Sequence, residues 1–80
     1  MKNLGFTKTE IEVIKLVASG YSDRKISELL FTAESTTRKH LVNIYQKMGI
    51  SAHPDYNQRT LLTVNYLLKK LSIKKAQSND

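Results

Sequence analysis

Residues 31–50 read FTAESTTRKHLVNIYQKMGI. From Glu34 to Met48 the run has neither proline nor glycine, and at helical spacing its side chains sort onto two faces. Thr37, Leu41, Ile44 and Met48 form a side that can bury. Ser35, Arg38, Lys39, Val42 and Gln46 form the other, which presents cations, an amide and a small apolar group. Gly49 stands where the left-handed residue that ends a helix is expected. A helix of this kind needs a support that fixes its angle, and the preceding residues provide one.

Ser22 is an N-cap candidate for a short helix over 23–30, with Ile26, Leu29 and Leu30 as its buried edge, and Phe31-Thr32-Ala33 makes the turn into the helix over 34–48. Upstream, Thr7 and Glu10 have capping-box spacing, with Leu4 and Phe6 placed to staple the chain to Ile11. A first helix over 8–19 follows, with Ile11, Ile14, Val17 and Ala18 inward, Val13 and Leu16 widening the stripe, and Gly20 closing it. After the loop 50–57, which holds the only proline, Pro54, Asp55 and Gln58 form a second capping pattern. The last helix is expected over 57–71, with Leu61, Val64, Leu67, Leu68 and Leu71 on its core face. Leu62, Tyr66 and Ile73 fall away from that face beside Lys69, which predicts a symmetric helix–helix contact through Leu62, Tyr66 and Lys69. The fold class is all-α with four helices. The domain covers 1–73, and 74–80 is a polar tail expected to fray.

The chain has 80 residues, room for one small core, and a net charge of +6. Between Ser35 and Lys75 the cations face a single acid, Asp55, while Glu10, Glu12, Asp23, Glu28 and Glu34 gather in the first half. That balance suits an anionic partner. Without cysteine there is no disulfide or thiolate metal site, and His40 and His53 have no carboxylate cluster beside them to complete a metal site. No nucleophile–base pair or glycine-rich phosphate loop is visible, so neither an enzyme nor a cofactor is expected. No apolar run approaches the roughly 20 residues of a membrane span, and the start MKNLGFTKTE lacks a signal-peptide core. The expected location is the bacterial cytoplasm, at the nucleoid.

Two helices joined by a short turn, the second bearing Arg38 and Lys39 outward, have the geometry of a DNA-binding helix-turn-helix. Arg38 suits the two major-groove acceptors of guanine, Lys39 lies beside it, Val42 can meet a thymine methyl, and Asn43 can pair with adenine. Ser35 and Thr36, in the first turn, suit a phosphate. Ser22, Arg24 and Lys25 lie near the backbone of the same groove, and His40 can meet a phosphate.

These residues resemble the LuxR-type (GerE-like) helix-turn-helix family of bacterial transcription regulators. The resemblance starts at Phe6-Thr7-Lys8-Thr9-Glu10-Ile11-Glu12-Val13-Ile14. It continues through Leu16-Val17-Ala18-Ser19-Gly20-Tyr21-Ser22, Lys25-Ile26-Ser27 and Leu29-Leu30. It is most specific at Ser35-Thr36-Thr37-Arg38-Lys39-His40, Ile44 and Lys47-Met48-Gly49-Ile50. It implies a four-helix domain that sits on promoter DNA as a dimer, with the third helix in the major groove and the fourth making the dimer contact. Arg38, Lys39, Val42 and Asn43 are then expected at bases, and Ser22, Lys25, Ser35, Thr36, His40 and Lys47 at phosphates. The partners expected are double-stranded DNA, a second copy through the last helix, and RNA polymerase.

Three departures from the family pattern stand out. Thr32 and Ala33 replace an apolar residue and a serine or threonine, which predicts a weakened cap worth roughly 1 kcal/mol. Thr37 replaces a valine. Arg59 arrives late, past Ala52-His53-Pro54-Asp55-Tyr56-Asn57. Family members often carry a receiver or ligand-binding domain ahead of this module; Met1 followed directly by the first helix is the expectation for a free-standing regulator. Two other readings use the same residues: a sigma-factor-like DNA-binding region, and a degenerate helix-turn-helix that acts as a protein-interaction module on RNA polymerase or another regulator.

Overall fold

The computed structural model describes residues 5–78, and side chains through Lys69. Four helices follow one another: α1 (Lys8–Ala18), α2 (Asp23–Leu30), α3 (Glu34–Met48) and α4 (Gln58–Ser78). Their starts follow local chemistry. Thr7 and Glu10 close the expected capping box: the Glu10 N–H donates to Thr7 Oγ1 at 3.1 Å and the Thr7 N–H to Glu10 Oε1 at 2.9 Å. Ser22 caps α2 by accepting from the Lys25 N–H at 3.2 Å. Ala33 stands at the N-cap of α3 with no side-chain bond, as the departure at that position predicts.

The ends of α1, α2 and α3 share one device. In each, a residue with positive φ turns the chain back so that the last N–H groups reach free carbonyls. Gly20 (φ 97°) and Gly49 (φ 74°) serve α1 and α3. At the end of α2 the position is held by Phe31, at φ 56° and ψ 48°; the Thr32 N–H reaches Ser27 O at 3.0 Å and the Phe31 N–H reaches Glu28 O at 3.3 Å. A bulky L-residue is strained there, and with 96% of its surface exposed Phe31 has little packing to offset the strain. Phe31→Gly should therefore stabilise the domain by about 0.5–1 kcal/mol, read as a rise in the urea midpoint at unchanged slope. An unchanged or lowered midpoint would mean that the phenyl ring makes up for its backbone.

The core comprises Val13, Ile14 and Val17 of α1, Ile26 of α2, Leu41 and Ile44 of α3, Ile50, and Leu62 of α4. Phe6, Leu16, Leu30, Met48, Leu61 and Tyr66 pack against it, each half-buried. The inward stripes expected of α1 and α3 hold in their main members. On α2 the expected edge is corrected: Leu29 is 42% exposed, and Ser27 is buried in its stead. Small size lets Ser27 sit against α3, where its hydroxyl lies 2.9 Å from that of Thr37 and donates to Asp23 O at 2.7 Å. The threonine that replaces valine at position 37 is thus fully buried with its polar atom partnered.

On α4 the expected faces are exchanged except at Leu61, which packs against the core as expected. Leu62 is fully buried and Tyr66 half-buried, while Val64, Leu67 and Leu68 are 43%, 45% and 58% exposed. The cap also differs: Asn57 Oδ1, not Asp55, accepts from the Thr60 N–H at 3.0 Å. The residues before it fold into a turn of their own, with the His53 and Tyr56 rings stacked at 5.1 Å and the Asp55 N–H bonded to His53 Nδ1 at 3.1 Å. The turn takes up the extra length, and Arg59 comes round to Asp23 and the Tyr21 carbonyl at the start of α2. α4 continues to Ser78, past its expected end. Lys74, Lys75, Ala76 and Gln77 favour helix, and no glycine or proline interrupts them. Leu71 and Ile73 lie outside the described side chains, as do residues 1–4 and 79–80 altogether.

Candidate nucleic-acid interface

α2 and α3 pack through Ile26, Ser27 and Thr37, which fixes the angle at which α3 stands off the body. With Thr37, Leu41 and Ile44 turned inward, the helical repeat dictates what turns outward. Ser35, Arg38, Lys39, Val42 and Gln46 are all exposed and share one face, Val42 at 52%. Thr36, His40, Asn43 and Lys47 follow one another along the adjoining flank. His40 and Asn43 are half-buried there, so the flank leans toward the body.

The first turn of α3 is exposed at Glu34, Ser35 and Thr36. The N–H groups of Thr36 and Thr37 both reach the Ala33 carbonyl, at 3.0 and 3.1 Å. With no side chain over this end, the remaining donors and the positive end of the helix dipole face outward. Ser22 and Lys25 are exposed at the start of α2, although the Ser22 hydroxyl already serves as the cap. The Arg24 and Lys25 side chains lie 3.7 and 3.8 Å from the two oxygens of Glu28. Arg38 Nη1 lies 3.2 Å from Glu34 Oε2. The signal for this pair in the sequence is the spacing of Glu34 and Arg38, which brings such side chains together on a helix.

The Lys47 ammonium donates to Glu10 Oε1 at 2.7 Å and to the Gly5 carbonyl at 3.0 Å, and it lies 5.9 Å from the centre of the Phe6 ring. Glu10 is 4% exposed. Burial alone would push its carboxyl up, but the Lys47 ammonium and the Thr7 N–H outweigh this and hold it below the usual carboxylate value. Lys47, expected at a phosphate, is therefore occupied here as the counter-ion of a buried acid, with part of its side chain still exposed. No local spacing signals this pair, whose members are 37 residues apart.

The remaining surface features are plain. An open groove of about 570 Å³ runs along the C-terminal part of α3, between Val42, Tyr45 and Gln46 on one side and residues 49–52 and Gln58 on the other. Among the described residues no group of three side chains could hold a metal ion, and no helix is long and apolar enough to cross a membrane.

Four helices with a short turn between the second and third, and a cationic outer face on the third, define a helix-turn-helix domain. The family model "Bacterial regulatory proteins, luxR family" matches residues 4–56, and the chain belongs to that family. Among curated proteins it is similar to the transcriptional regulatory protein DegU of Brevibacillus brevis. The two are 44% identical over 45 residues, which is 56% of this chain and 19% of DegU. It is also similar to the oxygen regulatory protein NreC of Staphylococcus aureus, 34% identical over 64 residues, which is 80% of this chain and 26% of NreC. The chain thus spans about a quarter or less of these relatives' length. No solved structure matches it significantly.

Proposed function

We propose that the chain binds double-stranded DNA in a sequence-specific way and regulates transcription, with α3 in the major groove. The observation that carries this reading is the outer face of α3. Arg38, Lys39 and Val42 stand exposed on a helix whose opposite side is locked into the core through Thr37, Leu41 and Ile44. Family membership and the regulatory relatives point the same way. Arg38 and Lys39 read base edges, Val42 meets a thymine methyl, and Asn43 reaches in from the flank. Ser22, Lys25, Ser35, Thr36 and His40 lie along the phosphates.

The active species is a dimer through α4, and its contact is the exposed stripe Val64, Leu67 and Leu68 with Lys69 beside it. Leu62 is taken up by the core and Tyr66 packs against it. The site of action is the cytoplasm, at the nucleoid.

The test is selection from a random duplex library, followed by affinities measured over a salt series. Log affinity should fall linearly with log salt. Arg38→Ala or Lys39→Ala should lose about 1–3 kcal/mol on the selected site and relax base preference at the positions read. Lys25→Ala should weaken selected and scrambled duplexes alike and lower the salt slope by about one. A palindromic selected site would support the dimer. If the α3 variants bind as the parent does, α3 is not the reading helix. A second reading draws on the uncapped Ala33 and the apolar stripe of α4: a protein-interaction module on RNA polymerase or another regulator. Failure of the parent to bind any duplex would favour it.

A further inference from the structure

The cations of the presented surface are largely engaged with carboxylates of the same chain. Arg38 is held by Glu34, and Arg24 and Lys25 share Glu28. Among the described residues of α3, Lys39 makes no ion pair. All these side chains are half or more exposed, or nearly so. Ion pairs of that kind add little to folding, so stability does not account for their position. Glu34 is the first residue of α3, where the helix dipole favours an anion and where a DNA phosphate would otherwise settle. It is also one turn from Arg38, on the side of the helix end.

We propose that Glu34 is a specificity-determining residue of the α3 face. Its carboxylate occupies Arg38 and repels the phosphate backbone, so that Arg38 is released only to a base that offers paired acceptors. The proposal rests on the DNA-binding reading above.

On an arbitrary duplex Arg38 stays with Glu34, because a phosphate would only replace one oxyanion partner, the carboxylate, by another. Little would be gained in the exchange, and Glu34 would be left facing the DNA backbone without a counter-ion. On a duplex with guanine at the right place, Arg38 gains two directed hydrogen bonds that a phosphate contact does not replace. Glu34 thus withholds Arg38 from phosphates on other sequences and, as partner in a weak exposed pair, gives it up at small cost on the correct one, which is discrimination against the wrong duplex. Glu28 lies on α2 and holds Arg24 and Lys25, which face phosphates whatever the sequence. It should weaken all duplexes equally, and so serves as an internal control.

The experiment compares Glu34→Gln and Glu28→Gln with the parent, on a duplex chosen by library selection and on a scrambled duplex, by fluorescence anisotropy over a salt series. Both positions are exposed and glutamine suits a helix, so both variants should fold. Glu34→Gln should tighten scrambled-duplex binding about fivefold and selected-duplex binding less than about twofold, so that the ratio between them falls. Its salt slope on the scrambled duplex should steepen by about one as Arg38 joins the phosphate contacts. Glu28→Gln should tighten both duplexes by one common factor. The proposal is overturned if Glu34→Gln changes both duplexes by a common factor or changes neither. A parent that binds no duplex at all would instead overturn the DNA-binding reading, and the proposal with it.

Discussion

Lys47→Met should destabilise the domain by about 2–3 kcal/mol at neutral pH. The loss has little to do with the worth of a surface ion pair, which is at most about 1 kcal/mol. It arises because Glu10 is 4% exposed and would be left as a buried carboxylate without its counter-ion. Lys47 itself keeps 36% of its side chain in solvent, which places the effect at the low end of what breaking a buried pair costs. Glu10→Gln with Lys47→Met should recover much of the loss, because no charge is then buried and the glutamine oxygen can still accept from the Thr7 N–H. Chemical unfolding of the two single variants and the double variant measures the coupling. A loss below about 1 kcal/mol for Lys47→Met would show that water reaches Glu10 and that the pair behaves as an exposed one.

The pH dependence follows from the direction of the Glu10 shift. In the parent its folded pKa is lowered, so its contribution is fully present above the unfolded carboxylate value and is lost as pH falls through the folded one. Without Lys47 the burial contribution is opposed only by the bonds from Thr7, and the folded pKa moves up. Protonation then relieves the variant as pH falls toward the carboxylate range. The stability gap between parent and variant should therefore be widest near neutrality and should narrow in acid. Under conditions where the variant is folded, its log-affinity slope with salt on duplex DNA should equal the parent's if Lys47 stays with Glu10 when the domain binds. A slope lower by about one would return Lys47 to the DNA face.

What could be read ahead from the sequence divides along a physical line. Signals that act within a few residues were legible. These include the Thr7–Glu10 box, the Ser22 cap, the missing cap at Ala33, the left-handed glycines, and the two faces of α3, where Thr37, Leu41 and Ile44 are inward and Arg38, Lys39 and Val42 outward. What the sequence hid depends on residues far apart in the chain. The engagement of Lys47 by Glu10 spans 37 residues, and that of Arg59 by Asp23 spans 36. Nothing in the local pattern around Lys47 separates a solvent-facing cation from one folded back on a buried acid. Ser27 was hidden for a related reason. Its burial depends on the Thr37 hydroxyl opposite, on another helix, so an apolar edge with Leu29 in it looked the more natural choice. The candidate site was thus legible as a face of α3 and its Glu34–Arg38 pair was signalled by local spacing, while the pairs that engage Lys47 and Arg59 were legible only from the fold.

Leu62→Ala should lose about 3 kcal/mol, whereas Leu68→Ala should lose under about 1 kcal/mol of unfolding free energy at concentrations where the protein is monomeric. The contrast tests how α4 is turned. Leu62 is fully buried, and truncating it opens a cavity in a core of few large side chains, whereas Leu68 is 58% exposed and removes little. Apolar residues occur all around this helix, so amphipathic pattern alone cannot choose its inward side; Leu61, Val64, Leu67 and Leu68 are as self-consistent a stripe as Leu62 and Tyr66. Tertiary contacts make the choice. Asn57 sets where the helix begins, and Arg59, one turn before Leu62 and two turns before Tyr66, is drawn to Asp23 and the Tyr21 carbonyl. That contact turns the Arg59 side of the helix toward the body, sends Leu62 into the core, and leaves Val64, Leu67 and Leu68 outside. Urea unfolding of the two alanine variants at matched low concentration is the measurement. A larger loss for Leu68→Ala than for Leu62→Ala would reverse the helix, return Leu62 to the surface, and move the dimer contact back to the Leu62–Tyr66 side.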